Sequence, residues 1–279
     1  MLKTMKTGSK LFRFLEYRAA WVRKETLKIH KVAPETRLAS SLSPVEIFTV
    51  LYYGKILNFD PKNVGLENRD RFIVSKGHGA VSLYPILADL GFFAKEKLRT
   101  VCKKGSFFGS IPDSSVPGFE AINGSLGHGL GVGCGMALAL KRKRNKAKVF
   151  VLLGDGELYE GSNWEAIMFA AHHRLNNLFL IVDNNKISML DYCKNIIDLY
   201  PLEDKFKVFN YTTRVVNGHD IRELYKVFLE LKKDKSPYPK TLIADTKKGK
   251  GVSCLEEDAL CHIKSLKANE VDTLIKRLK

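Results

Sequence analysis

Two short polar clusters carry the chemistry this sequence could perform. Gly154-Asp155-Gly156 follows an apolar run over 148–153, and Asp183-Asn184-Asn185 follows another over 178–182. Each alone is a turn signal. Their spacing adds meaning, because a helix over 159–173 and a strand over 178–182 bring the chain back to the same edge of a sheet. Asp155 and Asn185 then become neighbours. A carboxylate, an amide oxygen and a free backbone carbonyl suit a hard cation such as Mg2+, which takes oxygen ligands and keeps substrate phosphates in its shell. Gly154 and Gly156 leave no side chain in the way of a diphosphate approaching the backbone.

The elements that must position these residues can be read from periodicity. Residues 12–31 have helical spacing, and Ser43-Pro44-Val45-Glu46 reads as a helix start with a capping residue, a first-turn proline and an early acid. Short buried strands are predicted over 71–75, 148–153 and 178–182, and two more strands over 211–216 and 240–244. Helices are predicted over 81–90, 126–141, 159–173 and 220–233, with a turn-rich stretch over 112–124. Strands alternating with helices imply an α/β fold, a doubly wound and mostly parallel sheet with helices on both faces. Ligands in such sheets bind beyond the carboxyl ends of the strands, where both polar clusters fall. With no internal repeat and no linker, residues 1–279 read as a single domain. The stretch from about 247 is expected to be loop and a terminal helix.

Composition excludes several classes. The 279 residues are 45% hydrophobic and 27% charged, a globular balance, and no run approaches the roughly 20 apolar residues of a membrane helix. The basic amino terminus lacks the apolar core of a secretory signal. Five cysteines (Cys102, Cys134, Cys193, Cys254 and Cys261) are scattered and never spaced as a metal-binding pair, so a reducing cytoplasm is expected and a zinc site is not. The net charge of +16 raises the question of nucleic acid. However, the lysines and arginines are dispersed, and the run Lys141-Arg142-Lys143-Arg144 sits at a predicted helix end, where cations complement the helix dipole. A solvated lysine-rich surface is the better reading, and phosphorylated substrates would benefit from the same field.

The Gly-Asp-Gly and Asn-Asn pair, about thirty residues apart, is the fingerprint of thiamine-diphosphate enzymes, and the surrounding residues narrow it. The segment GDGELYEGSNWEAIMFAAHHRLNNLFLIVDNNKIS resembles transketolase. SKGHGA (75–80), NGSLGHGLGVGCGMALA (123–139), VNGHD (216–220) and KGKGVS (248–253) follow in that family's order. The similarity runs from about Ala19 to Leu266, and the family's pyrimidine-binding and C-terminal domains have no counterpart in this sequence. It thus resembles the N-terminal subunit of a split transketolase. That resemblance implies thiamine diphosphate with Mg2+ (Ca2+ or Mn2+ as substitutes) and a C-terminal partner subunit in a heterotetramer with two copies of each. The metal ligands would be Asp155, the Asn185 side chain and the Ile187 carbonyl. Gly124, Ser125, Leu126, Gly154, Gly156, Glu157 and Asn185 would border the cofactor. His78 and His262 would touch both cofactor and substrate. Glu160, with Glu165, matches an interface acid near the glutamate that the missing domain would supply. His30, His172, His173 and His219 read as structural, and His128 stands where many transketolases have glutamine.

Two departures from the family bear on the substrate. Arg37 stands near the position of a family histidine, and Gly109-Ser110-Ile111-Pro112-Asp113 lacks another. Both missing imidazoles handle sugar hydroxyls, whereas an arginine cannot act as a base but can hold a carboxylate or phosphate by two bonds. The leading expectation is transfer of a two-carbon ketol unit between sugars, with activity only in the presence of the partner. The alternatives are decarboxylating acyl transfer from a 2-oxo acid such as pyruvate, and a non-catalytic binding or regulatory role.

Overall fold

The computed structural model describes residues 8–121, 124–256 and 258–277. Residues 122 and 123 of the expected turn-rich stretch, and the first seven of the basic amino terminus, lie outside them. Five strands form one sheet: β1 (Arg71–Val74), β2 (Val149–Gly154), β3 (Leu178–Asn184), β4 (Thr212–Asn217) and β5 (Lys240–Asp245). Their spatial order is β1-β2-β3-β5-β4, and every neighbouring pair is parallel. The expected α/β sheet is therefore present, and it is parallel throughout.

Alternation along the central strands sends side chains to two cores. Phe150, Leu152, Phe179, Ile181 and Leu242 face one side. There they meet α1 (Ser9–Val32), α3 (Val45–Tyr52), α4 (Leu83–Leu90) and α9 (Ile221–Lys233). Helix α1 buries Leu11, Leu15, Ala19 and Val22, a helical spacing that forms one apolar stripe. Val149, Val151, Leu153, Leu178 and Leu180 face the other side, against α5 (Gly129–Arg142), α6 (Gly161–His172) and α8 (Leu202–Val208). Burial on both faces explains why these strands read as unbroken apolar runs.

A third, smaller cluster lies behind the carboxyl ends of the strands. It joins Leu27 of α1, Leu38, Ala39 and Leu42 of α2 (Leu38–Leu42), Ile187, Val252, Leu255, Cys261, Leu266 and Val271. The short helices α7 (Cys193–Ile196) and α10 (Ser253–Glu256) flank this end, and α11 (Ala268–Arg277) follows the predicted loop. His30 ties the region together: Nδ1 meets the Thr36 hydroxyl at 2.9 Å, and Nε2 accepts the Leu266 N–H at 3.1 Å.

Two local expectations need correction. The helix predicted from 126 begins at Gly129, because Gly127 takes a left-handed conformation (φ +86°) that a right-handed helix cannot continue through. Ser43 does not cap α3; its hydroxyl donates to the buried Asp183 carboxylate at 2.5 Å instead. A fully buried charge needs donors more than a helix end does. The basic run at the end of α5 does lie at a helix terminus, and Lys141 there donates to the His173 and Arg174 carbonyls at the end of α6. Among the described residues no helix is long and apolar enough to cross a membrane.

Candidate functional site

Adjacency of β2 and β3 brings the two polar clusters together. Gly154 pairs in register with Asp183, and the Asp155 N–H donates to the Asp183 carbonyl at 3.3 Å. The Asp155 carboxylate accepts the Gly156 N–H at 2.9 Å and the Lys186 N–H at 2.5 Å. Asn185 accepts the Ile187 N–H through its side-chain oxygen at 3.2 Å. Asp155, Asn185 and Ile187 are all buried. Burial first, and then the neighbouring Asp183, pushes the Asp155 carboxyl up to about 6. A buried carboxylate raised in this way gains from a cation beside it. Among the described residues no group of three or more His, Cys, Asp and Glu side chains could hold a metal. The set here is one carboxylate with amide and carbonyl oxygens, the donors a hard cation prefers.

Two lysines are buried in this pocket. Lys248 donates to the Ile187 and Ser188 carbonyls, each at 2.8 Å, and to Nδ1 of His262 at 3.1 Å. Burial, reinforced by Lys76, lowers its ammonium to about 8. Lys76 is ion-paired with Asp183, whose carboxylate also accepts from Ser43 and Thr246. Although burial pushes the Asp183 carboxyl up, Lys76 and these hydroxyls hold it below its usual value.

The His78 and His262 rings lie 4.9 Å apart between centroids, one from the turn after β1 and the other from the C-terminal stretch. Burial holds His78 well below the usual histidine range, with further lowering from Lys76, His262, Lys248 and Arg37. Burial first, then Lys248, Lys76 and Arg37, bring His262 down to about 3. Both rings are therefore neutral at pH 7. Because Nδ1 of His262 accepts from Lys248, its proton sits on Nε2.

The remaining expected residues are distributed around this centre. Glu157 is buried and turned inward: its carboxylate accepts from the Ser75 hydroxyl, from the Gly127 N–H at 3.0 Å and from the Gly154 N–H at 3.2 Å. It thereby joins β1, the turn before α5 and the end of β2. Gly124, Ser125 and Leu126 lie in that turn, ahead of α5. Glu160 and Glu165 are exposed at the start of α6 and are not gathered with the histidines.

The family model described as "Transketolase, thiamine diphosphate binding domain" matches residues 33–279. The chain belongs to the transketolase family. It is 38% identical to one of the subunits of the apulose-4-phosphate transketolase of Actinobacillus succinogenes, over 95% of this chain and 96% of that one. It is 35% identical to a 6-deoxy-6-sulfo-D-fructose transketolase subunit of Clostridium sp. strain MSTE9, over 89% and 90%. The transketolase structure from Campylobacter jejuni superposes with a TM-score of 0.89 at 29% identity, covering 95% of this chain. This chain spans 43% of the length of that transketolase.

Within this transketolase fold, sequence reasoning misses three polar residues at the site: Lys76, Asp183 and Lys248. A signal exists for each, since Lys76 lies inside SKGHGA, Asp183 directly precedes Asn184-Asn185, and Lys248 opens KGKGVS. What periodicity cannot supply is their burial, because lysine is almost never buried unless paired. Arg37 is exposed at the amino end of α2, and its charge reaches both imidazoles. In the segment without a histidine, the Gly109 carbonyl accepts from the Tyr84 hydroxyl at 2.8 Å.

Proposed function

We propose that this chain is the diphosphate- and metal-binding subunit of a split transketolase, folded as one domain, that moves a two-carbon ketol unit between sugars. It would act only with a C-terminal partner subunit, two copies of each forming a heterotetramer in the cytoplasm. The observation that carries this reading is the convergence of Asp155, Asn185 and the Ile187 carbonyl with the paired rings of His78 and His262. Support for the subunit reading comes from relatives that are themselves called transketolase subunits and match over nearly their whole length.

In this reading Asp155, the Asn185 amide oxygen and the Ile187 carbonyl hold Mg2+, and Gly154, Gly156 and Asn185 face the diphosphate. Lys248, held by two carbonyls, is placed to exchange them for diphosphate oxygens. Such a charge-assisted bond is about twice as strong as a neutral one. Gly124, Ser125 and Leu126 border the cofactor. Glu157 acts indirectly, fixing the Gly127 and Gly154 backbones. Thiamine diphosphate, when bound, supplies the nucleophilic carbon and the electron sink. Neutral His78 and His262 take or donate protons at substrate hydroxyls, and the Nε2–H of His262 is the available donor. Burial, reinforced by the surrounding cations, keeps both rings neutral at rest. Glu160 and Glu165 face the partner.

The test is calorimetric titration of thiamine diphosphate with Mg2+ into the assembled wild-type and Asp155→Ala proteins. It is paired with turnover of ketose phosphates, unphosphorylated ketoses and pyruvate, with and without the partner. Loss of metal-dependent binding in the variant, and ketol transfer only by the pair, are expected. Unchanged affinity in Asp155→Ala, or turnover by the lone chain, would refute it.

A further inference from the structure

His219 has no place among the residues that surround the site, yet its ring lies between two fixed partners. Its Nε2 accepts the Lys247 N–H at 2.7 Å, and its Nδ1 lies 3.0 Å from the Glu46 carboxylate. A nitrogen that accepts from a backbone amide carries no proton, so the proton is on Nδ1 and is donated to Glu46. Glu46 is buried in α3 and is also gripped by Arg23 of α1, at 2.7 and 2.8 Å. Arg23 in turn donates from Nε to the Lys250 carbonyl at 2.8 Å. Both arms of one carboxylate thus end on the same turn, at residues 247 and 250. Between those anchors lie Lys248 and Gly249. Gly249 has φ +79° and donates its N–H to the Ala39 carbonyl at 3.0 Å.

The geometry points to His219 and Glu46 as a positioning pair for the 247–250 turn, which sets where the Lys248 ammonium stands in the site. Lys248 reaches its carbonyl partners through a long side chain that loses much rotamer freedom when fixed. It can do so reproducibly only if its backbone is held. The Thr246 N–H, bonded to the Asn184 carbonyl at 3.1 Å, fixes the entry to the turn. His219 then holds residue 247 and Arg23 holds residue 250, next to the Gly251 N–H, which donates to Glu256 at 2.7 Å. Another cluster of cations lies in a cavity at the amino ends of the strands. There Lys232 and Lys240 already donate to the backbone carbonyls of Ile56, Ser236 and Tyr238.

The link to the cofactor rests on the proposed function, so the test separates the two. Amide hydrogen exchange at Lys247 and Gly249 is measured in wild type, His219→Ala, His219→Gln and Lys248→Met, together with thiamine diphosphate affinity in the assembled protein. A glutamine oxygen can stand where Nε2 stands and accept from Lys247. His219→Ala is expected to speed exchange at both amides at least tenfold and to weaken cofactor binding in the direction of Lys248→Met. His219→Gln is expected to restore most of both. Lys248→Met is expected to weaken binding while leaving exchange at Lys247 unchanged. Exchange in His219→Ala equal to wild type, or no recovery in His219→Gln, would overturn the inference. Failure of wild type to bind thiamine diphosphate would instead overturn the cofactor reading, with the exchange data still judging His219. If His219→Ala does not fold, His219→Gln against His219→Asn decides, because asparagine reaches Glu46 but not Lys247. Equal exchange in those two would overturn the inference.

Discussion

Replacing Lys76 with methionine keeps the length of the side chain and removes its charge, leaving Asp183 buried without its counter-ion. The two side chains are 2% and 0% exposed, so solvent cannot take over the role of the ammonium. Removing one member of a buried pair typically costs about 3–5 kcal/mol. Asp183 would keep the Ser43 hydroxyl at 2.5 Å and the Thr246 hydroxyl, which places the expected loss near the lower end, about 3 kcal/mol. For a chain of this size roughly 2–4 °C of Tm accompanies each kcal/mol, so a drop of about 6 °C or more should be seen by calorimetry or circular dichroism. The pH dependence provides a second readout. In wild type the Asp183 carboxyl lies below its usual value, so its contribution is complete above the unfolded value of about 3.9 and is lost as pH falls through the folded one. Without Lys76 burial raises it, so the variant binds a proton earlier and the gap between the proteins narrows on acidification. Lys76→Met with Asp183→Leu removes both charges and should recover much of the loss. A single variant within about 1 kcal/mol of wild type, or a gap that widens at low pH, would refute the reasoning.

Two further outcomes follow from charges at the edge of the site and behind it. Arg37→Ala and Arg37→His should lower kcat/KM for anionic donors or acceptors by roughly ten- to a hundredfold, the worth of one charge-assisted bond. Equal constants across all three proteins would place Arg37 outside substrate contact. Burial lowers His30 despite the Thr36 and Glu35 contributions, so the unfolded chain takes up a proton below about 6.5 that the folded chain refuses. Stability should fall as pH drops below that value, by up to about 1.4 kcal/mol per unit from this group. Denaturant titrations of wild type and His30→Gln between about pH 7 and 5 check the slope, and parallel curves would remove His30 as the cause.

Much of this architecture was legible because its determinants are local. The strands over 149–154 and 178–184 are unbroken apolar runs, each ending in a polar cluster, and parallel adjacency then brings Asp155 beside Asn185. The parts that were not legible depend on contacts between distant segments. Nothing periodic announces α2 or α8, which are too short to show a helical pattern, and Ser43 reads as a cap until a buried Asp183 competes for it. His262 lies in a stretch with weak resemblance to the family. It reaches His78 because Cys261 and Leu266 enter the same small core as Leu38, Ala39 and Ile187.

That core explains why chemistry and packing are inseparable at this end of the sheet. Ile187 contributes its side chain to the cluster and its carbonyl to Lys248, so one residue serves both the apolar interior and the polar pocket. Ala39 does the same, joining the cluster through its side chain and accepting the Gly249 N–H. A substitution that shifts the cluster must therefore move the Lys248 turn and the His262 ring together. Burial lowers the two imidazoles first, and Lys76, Lys248 and Arg37 lower them further, while Asp183 and Glu46 are committed to partners of their own. Lys248 adds a further positive charge near the Asp155 and Asp183 carboxylates, and the walls around it are held by ion pairs and hydrogen bonds already made within the chain.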